Sequence, residues 1–267
     1  MTDRELVDAL EEVWSSMRAV GTELVEGEWS APTDCPGWTV QDVFAHIVGI
    51  EEVSMGHDAP HVDVPDYDHV TSDIGRMNEV WVESMRSMTG SDVLDRFTIV
   101  TEARLAELCT LDEAGFGADS WTPAGPGTVR DLIPFRIFDS WVHEQDIRRA
   151  VDRPGGLDGT GAAVTLERCV GSMGYVVGKS ARAPDGTTVR FDLLEPLARS
   201  FSVGVEGGRG SLLDEDPDDP TVTVVTSGDT FVRLACGRAT ATDAEITATG
   251  DAELGAAILA NLRFLKF

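Results

Sequence analysis

Lysine is almost missing from this chain: only Lys179 and Lys266 occur in 267 residues, and Lys plus Arg total 21 against 47 Asp plus Glu. The resulting formal charge of −26 argues against nucleic acid or an anionic membrane as a general partner, because phosphate binding draws on surplus cationic side chains. Long apolar runs are missing too. No stretch approaches the ~20 apolar residues of a membrane span, and the opening MTDRELVDALEEVW is acidic and amphipathic, unlike a secretory signal. A cytoplasmic protein is expected. Cysteine is sparse, and Cys35, Cys109, Cys169 and Cys236 form no CxxC pair, which argues against a disulfide framework. Cys35 is open to a reactive-thiol reading, with packing the stronger one.

Hydrophobic residues make up 42% of the chain, enough to bury an ordinary core in one large domain or two small ones. Leu6, Leu10, Val13, Met17, Val20 and Leu24 draw one apolar stripe on a helix over 3–26, with Gly27 as its terminator. Pro32 and Pro36 make 29–37 a loop. Thr39-Val40-Gln41-Asp42 has the form of a capping box and opens a second helix running past Gly49. Ile74, Met77, Trp81, Met85 and Met88 mark a third helix. Gly90-Ser91-Asp92 interrupts it before the helical pattern resumes to about Leu111. A proline- and glycine-rich loop over 121–127 precedes a second capping box, Thr128-Val129-Arg130-Asp131, whose helix reaches Ala150 or Val151 and carries Pro134 as a potential kink.

One further helix is expected over 162–180, after which the period changes. Residues 188–193, 201–205 and 221–224 alternate as strands do. Turn-rich segments at 207–210 and 214–220 separate them. A short helix at 231–235, a strand at 245–248 and a last helix over 251–264 complete the chain. The expected fold class is two-domain α+β: a helical bundle over 1–182 and a small α+β domain over 183–267, divided near 181–186.

Asp139 and His143 stand four residues apart in the helix after the second capping box, so both project from one face. A carboxylate and an imidazole at that spacing can grip one divalent metal, but two ligands do not hold a catalytic ion. His46 is the candidate third ligand; taken alone, a histidine near a core is more often structural. His57 and His61 share the same spacing and compete for the metal, although Pro60 disrupts the helix that would align them. The His-, Asp- and Pro-rich stretch 56–72 reads as a mobile polar loop, with a lid as the alternative.

The stretches CPGWTVQDVFAHIVG, WTPAGPGTVRDL and FRIFDSWVHEQDIRRAVDRPGG resemble the mycothiol-dependent maleylpyruvate isomerase family, within the DinB-like group of metal-binding four-helix bundles. The end of the chain, ATGDAELGAAILANLRF, is similar to that family's small C-terminal domain, itself similar to sterol carrier protein. The resemblance implies that His46, Asp139 and His143 form a metal triad, with zinc as the expected ion and mycothiol as the thiol cofactor. Some members carry Glu where this chain has the shorter Asp139.

Three ligands leave a coordination position open, the arrangement of a catalytic rather than structural zinc. Coordination to a dication stabilises a thiolate at neutral pH. A thiolate can add to an activated double bond, allow rotation, and leave, which amounts to cis–trans isomerisation. If sulfur stays attached to a small electrophile, the same site is a detoxifying S-transferase. A diacid such as maleylpyruvate calls for an arginine clamp. Arg238 of the second domain is the candidate, reaching a site between the domains, and Arg136 and Arg148 are weaker options. Trp38 and Trp141 are open to pocket-lining or core roles. A different class remains: a non-catalytic protein holding an apolar ligand in its second domain.

Overall fold

The capping signals fix where the long helices begin. In the computed structural model, which describes residues 1–265, α1 spans Asp3–Glu23 behind a Thr2 capping box, and a short 3₁₀ turn follows at Glu26–Glu28. α2 spans Val40–Ser54 and opens on the Thr39/Asp42 box, while α3 (Asp73–Met85) and α4 (Gly90–Thr110) open on Ser72 and Thr89. The broken helical pattern is therefore two helices in tandem. One turn, α5 (Glu113–Phe116), leads to a hairpin of β1 (Asp119–Thr122) and β2 (Gly125–Thr128), where a plain loop was expected. α6 (Val129–Ala150) opens on the Thr128/Asp131 box and runs through Pro134.

In this first unit α1 packs on α4 and α6, while α2 packs on α3, α4 and α6. The four long helices thus close a ring around a core that includes Trp14, Met17, Phe44, Ile47, Phe97 and Ile137. The ring sets α2 beside α6.

The chain divides into two compact units, Met1–Gly156 and Leu157–Phe267. The division therefore falls ahead of α7 (Thr160–Gly171), not near residue 182, and α7 belongs to the second unit, where it packs on α9 (Gly228–Ala235). Helical periodicity alone does not tell which neighbour an amphipathic segment covers. The single helix expected to Ser180 is instead α7, a short α8 (Met173–Tyr175) and a π-helical turn at Val176–Ser180. Residues 266 and 267, assigned above to the second domain, lie outside the described residues.

The second unit holds a sheet in the order β5-β4-β3-β6-β7. Its strands are β3 (Thr188–Leu194), β4 (Arg199–Glu206), β5 (Arg209–Leu212), β6 (Val222–Ser227) and β7 (Ile246–Gly250), with α10 (Ala252–Ala260) following. β3 and β6 run parallel and the other pairs antiparallel. Alternation placed three strands correctly in kind; β5 lies where Gly207-Gly208-Arg209-Gly210 suggested only a turn. On the buried face Phe191 and Phe201 pair across β3 and β4 with stacked rings 4.8 Å apart, and Phe231 of α9 completes the cluster.

Candidate metal centre

His46 lies on α2 and Asp139 and His143 on α6, and the packing of those helices brings all three together. One donor atom from each lies within 4.8 Å of the other two, and no other group of three or more such donors forms among the described residues. His46 is 3% exposed and His143 1% exposed, so neither stands on a polar helix face. Asp139 keeps 14% of its side chain open. The imidazole rings meet edge to face with centroids 4.9 Å apart.

The hydrogen bonds around the cluster favour ligation. His46 Nε2 sits 3.2 Å from Asp139 Oδ2, and its Nδ1 is buried with no hydrogen-bond partner. His143 Nδ1 lies 3.1 Å from Oδ2 of the buried Asp146, whose other oxygen accepts from Arg149 at 3.1 Å. A carboxylate on one ring nitrogen fixes the tautomer and frees the other nitrogen as a ligand. Burial pushes the His46 imidazole below its ordinary pKa, although Asp139 pulls the other way. Burial also opposes ionisation of Asp139, but His46 and Arg136 outweigh it and hold the carboxyl well below its usual range. A neutral imidazole and an ionised carboxylate are the protonation states that bind a cation. An orphaned buried nitrogen and three mutually close N and O donors fit a divalent ion such as zinc.

Two further networks frame the cluster. Arg136 donates from Nε to Glu51 Oε1 at 2.6 Å and from Nη1 to Asp139 Oδ2 at 2.8 Å. On another side Trp38 lies with its ring 4.9 Å from that of His46 and 5.8 Å from that of His143. Its Nε1 donates to Glu79 Oε2 at 2.9 Å, and His69 Nε2 is 3.1 Å from the same oxygen. Arg86 Nη2 lies 2.6 Å from Glu79 Oε1 and its Nε 3.2 Å from Asp42. Gly37 has φ 81°, and the His69 ring fills the space a Cβ would need there.

The remaining candidates fall elsewhere. His57 and His61 are both exposed; His57 pairs with Glu52. Trp141 is core, its Nε1 donating to the Gly156 carbonyl at 2.7 Å. Arg148 is bound to the buried Glu144 at 2.7 Å. Cys35 is buried. Arg238 lies in the second unit just after α9 and donates from Nη1 to the Cys236 carbonyl at 3.2 Å. Spacing alone does not single out Glu51 or Glu79, since each acts through residues distant in sequence. Asp146 had a signal, the i, i+3 position from His143 on one helical face.

Fold and site together define a two-domain α+β protein whose helical unit carries a buried His-Asp-His cluster. The family described as the mycothiol maleylpyruvate isomerase N-terminal domain matches residues 10–148. That span is just over half of the chain, and the chain belongs to this family. Two solved structures are similar to it over nearly the whole length. One is the crystal structure of the mycothiol-dependent maleylpyruvate isomerase, at 16% identity and a TM-score of 0.57, with 93% of each chain covered. The other is a histidine-to-alanine variant described under the same enzyme name, at 15% identity and a TM-score of 0.55, covering 92% of this chain and 93% of that one. At such identities the likeness speaks for the fold. No protein of curated function matches. No helix among the described residues is long and apolar enough to cross a membrane.

Proposed function

We propose that this chain is a metal-dependent enzyme that uses mycothiol and catalyses cis–trans isomerisation of a small electrophile, by reversible addition of a thiolate to an activated double bond. The observation that carries the reading is the convergence of His46, Asp139 and His143 from two helices inside the family's domain. Those three side chains would hold the ion, with zinc the expected one. A bound divalent ion supplies Lewis acidity that keeps a thiol as thiolate at neutral pH.

The chain's own groups prepare the site. Burial keeps His46 neutral, Asp146 orients the His143 ring, and the Trp38 ring walls off one side of both imidazoles and helps to exclude water. Arg238 is the proposed cation for a substrate carboxylate; Arg238→Lys is expected to raise KM more than it lowers kcat, since Lys cannot reproduce a two-pronged contact.

The decisive experiment incubates zinc-loaded protein with mycothiol and maleylpyruvate and follows formation of fumarylpyruvate. Conjugation of a model electrophile without isomerisation moves the reading to an S-transferase. Neither activity, with a lipid copurifying, moves it to a binding protein. Metal analysis is expected to find one divalent ion per chain in the wild type and none in His46→Ala or His143→Ala, with helix content retained by circular dichroism. Full occupancy in both variants ends the triad.

A further inference from the structure

Arg136 is 5% exposed, and a buried guanidinium is tolerated only where charged partners meet it. It has two. Glu51, 0% exposed, accepts its Nε at 2.6 Å, and Asp139 Oδ2 accepts its Nη1 at 2.8 Å. Glu51 follows His46 on α2 and Arg136 precedes Asp139 on α6, so this pair crosses the seam that the candidate ligands cross. Arg104, on α4, lies 3.7 Å from the second oxygen of Glu51.

The two oxygens of Asp139 are not equivalent. Oδ2 is engaged twice, by Arg136 and by His46 Nε2 at 3.2 Å. Oδ1 takes part in no hydrogen bond among the described residues and stands 3.7 Å from His143 Nε2. An aspartate offering both oxygens to a cation would fill a position that a thiol needs. A fork fixed at one end by Glu51 prevents that, because the guanidinium is planar and its second nitrogen cannot follow the carboxylate if it rotates.

We propose that Arg136, anchored by Glu51, is a positioning residue that retains Asp139 Oδ2 and leaves Oδ1 as the one carboxylate ligand, keeping a coordination position open. The inference rests on the metal-site reading above. It assigns the Glu51–Arg136 pair to the geometry of the ion and not only to holding two helices together.

Cobalt(II) is the probe, because its visible absorption is strong in four-coordinate sites and weak at higher coordination. Arg136→Met alone leaves the buried Glu51 with only Arg104 at 3.7 Å and is expected to destabilise the fold, so the full-length double variant Arg136→Met/Glu51→Met carries the test. It is expected to bind one cobalt per chain with a weaker, shifted absorption, and with affinity lowered about 10- to 100-fold, the usual effect of removing a group that orients a ligand. Arg136→Lys/Glu51→Met returns a charge near Asp139 but not the anchored fork, and is expected to leave the absorption weak. A double-Met variant with wild-type spectrum and affinity, or a Lys variant that recovers the strong absorption without the fork, overturns the proposal and leaves the metal site standing. Wild-type protein that takes up no cobalt overturns both.

Discussion

At the scale of residues, the cluster's protonation has a consequence for stability. Burial lowers the His46 pKa in the fold, so below the ordinary imidazole value of about 6.5 the unfolded chain takes up a proton that folded His46 refuses. The stability associated with this group is therefore present above that pH and lost as pH falls through the lowered value. Thermal melts of metal-free protein from pH 8 to pH 5 are expected to show falling stability with a steeper slope than His46→Gln. Equal slopes would show that the imidazole is not held neutral by the fold. The i, i+4 pair of Asp139 and His143 is legible in sequence because one helix fixes their spacing. His46 stands 93 positions from Asp139, so the residues alone offer it only as a candidate third ligand, and the family resemblance strengthens that pairing. Glu51 and Glu79 show no pattern at all, since a buried acid is recognised by what surrounds it in space.

Among the elements, the segment between α2 and α3 is better anchored than its composition suggests. Tyr67 donates to Glu83 at 2.9 Å, Arg86 lies over the Tyr67 ring at 4.9 Å, and His69 joins Trp38 on the buried Glu79. The Asp42 of the α2 capping box meets the same Arg86, so a helix start and the strap over Gly37 share one charge. Glu79→Ala leaves the Trp38 and His69 nitrogens without their acceptor, and is expected to cost about 3 kcal/mol. Hydrogen exchange across residues 56–72 should accelerate in that variant, and much less in Glu79→Gln, which keeps one acceptor oxygen. Unchanged exchange in Glu79→Ala would mean that other contacts hold the strap. The capping boxes of α2 and α6 were readable because their signals lie within four residues. The β1–β2 hairpin and β5 were not, because strands of four residues carry almost no alternation and depend on their partners.

On the scale of the whole molecule, the change from helical to alternating pattern located the two-domain α+β organisation but not the boundary. α7 has an ordinary amphipathic pattern, with Ala162, Leu166, Cys169 and Val170 buried in the second unit. A fragment ending at Gly156 is expected to run as a single soluble species by size-exclusion chromatography and to bind cobalt. One ending at Arg182 carries the bared α7 face and is expected to aggregate. The reverse result would return α7 to the bundle.

In the proposed metal site, ligands supplied by two helices so far apart in the chain would also make the ion a staple. Where ion exceeds its dissociation constant a hundredfold, binding to the folded form alone adds about 2.7 kcal/mol of resistance to unfolding. Chelation should therefore lower the melting temperature in wild type and leave His143→Ala unmoved. If the proposed site holds an ion, a population of this protein starved of it would lose standing molecules to unfolding as well as the proposed turnover from those that remain.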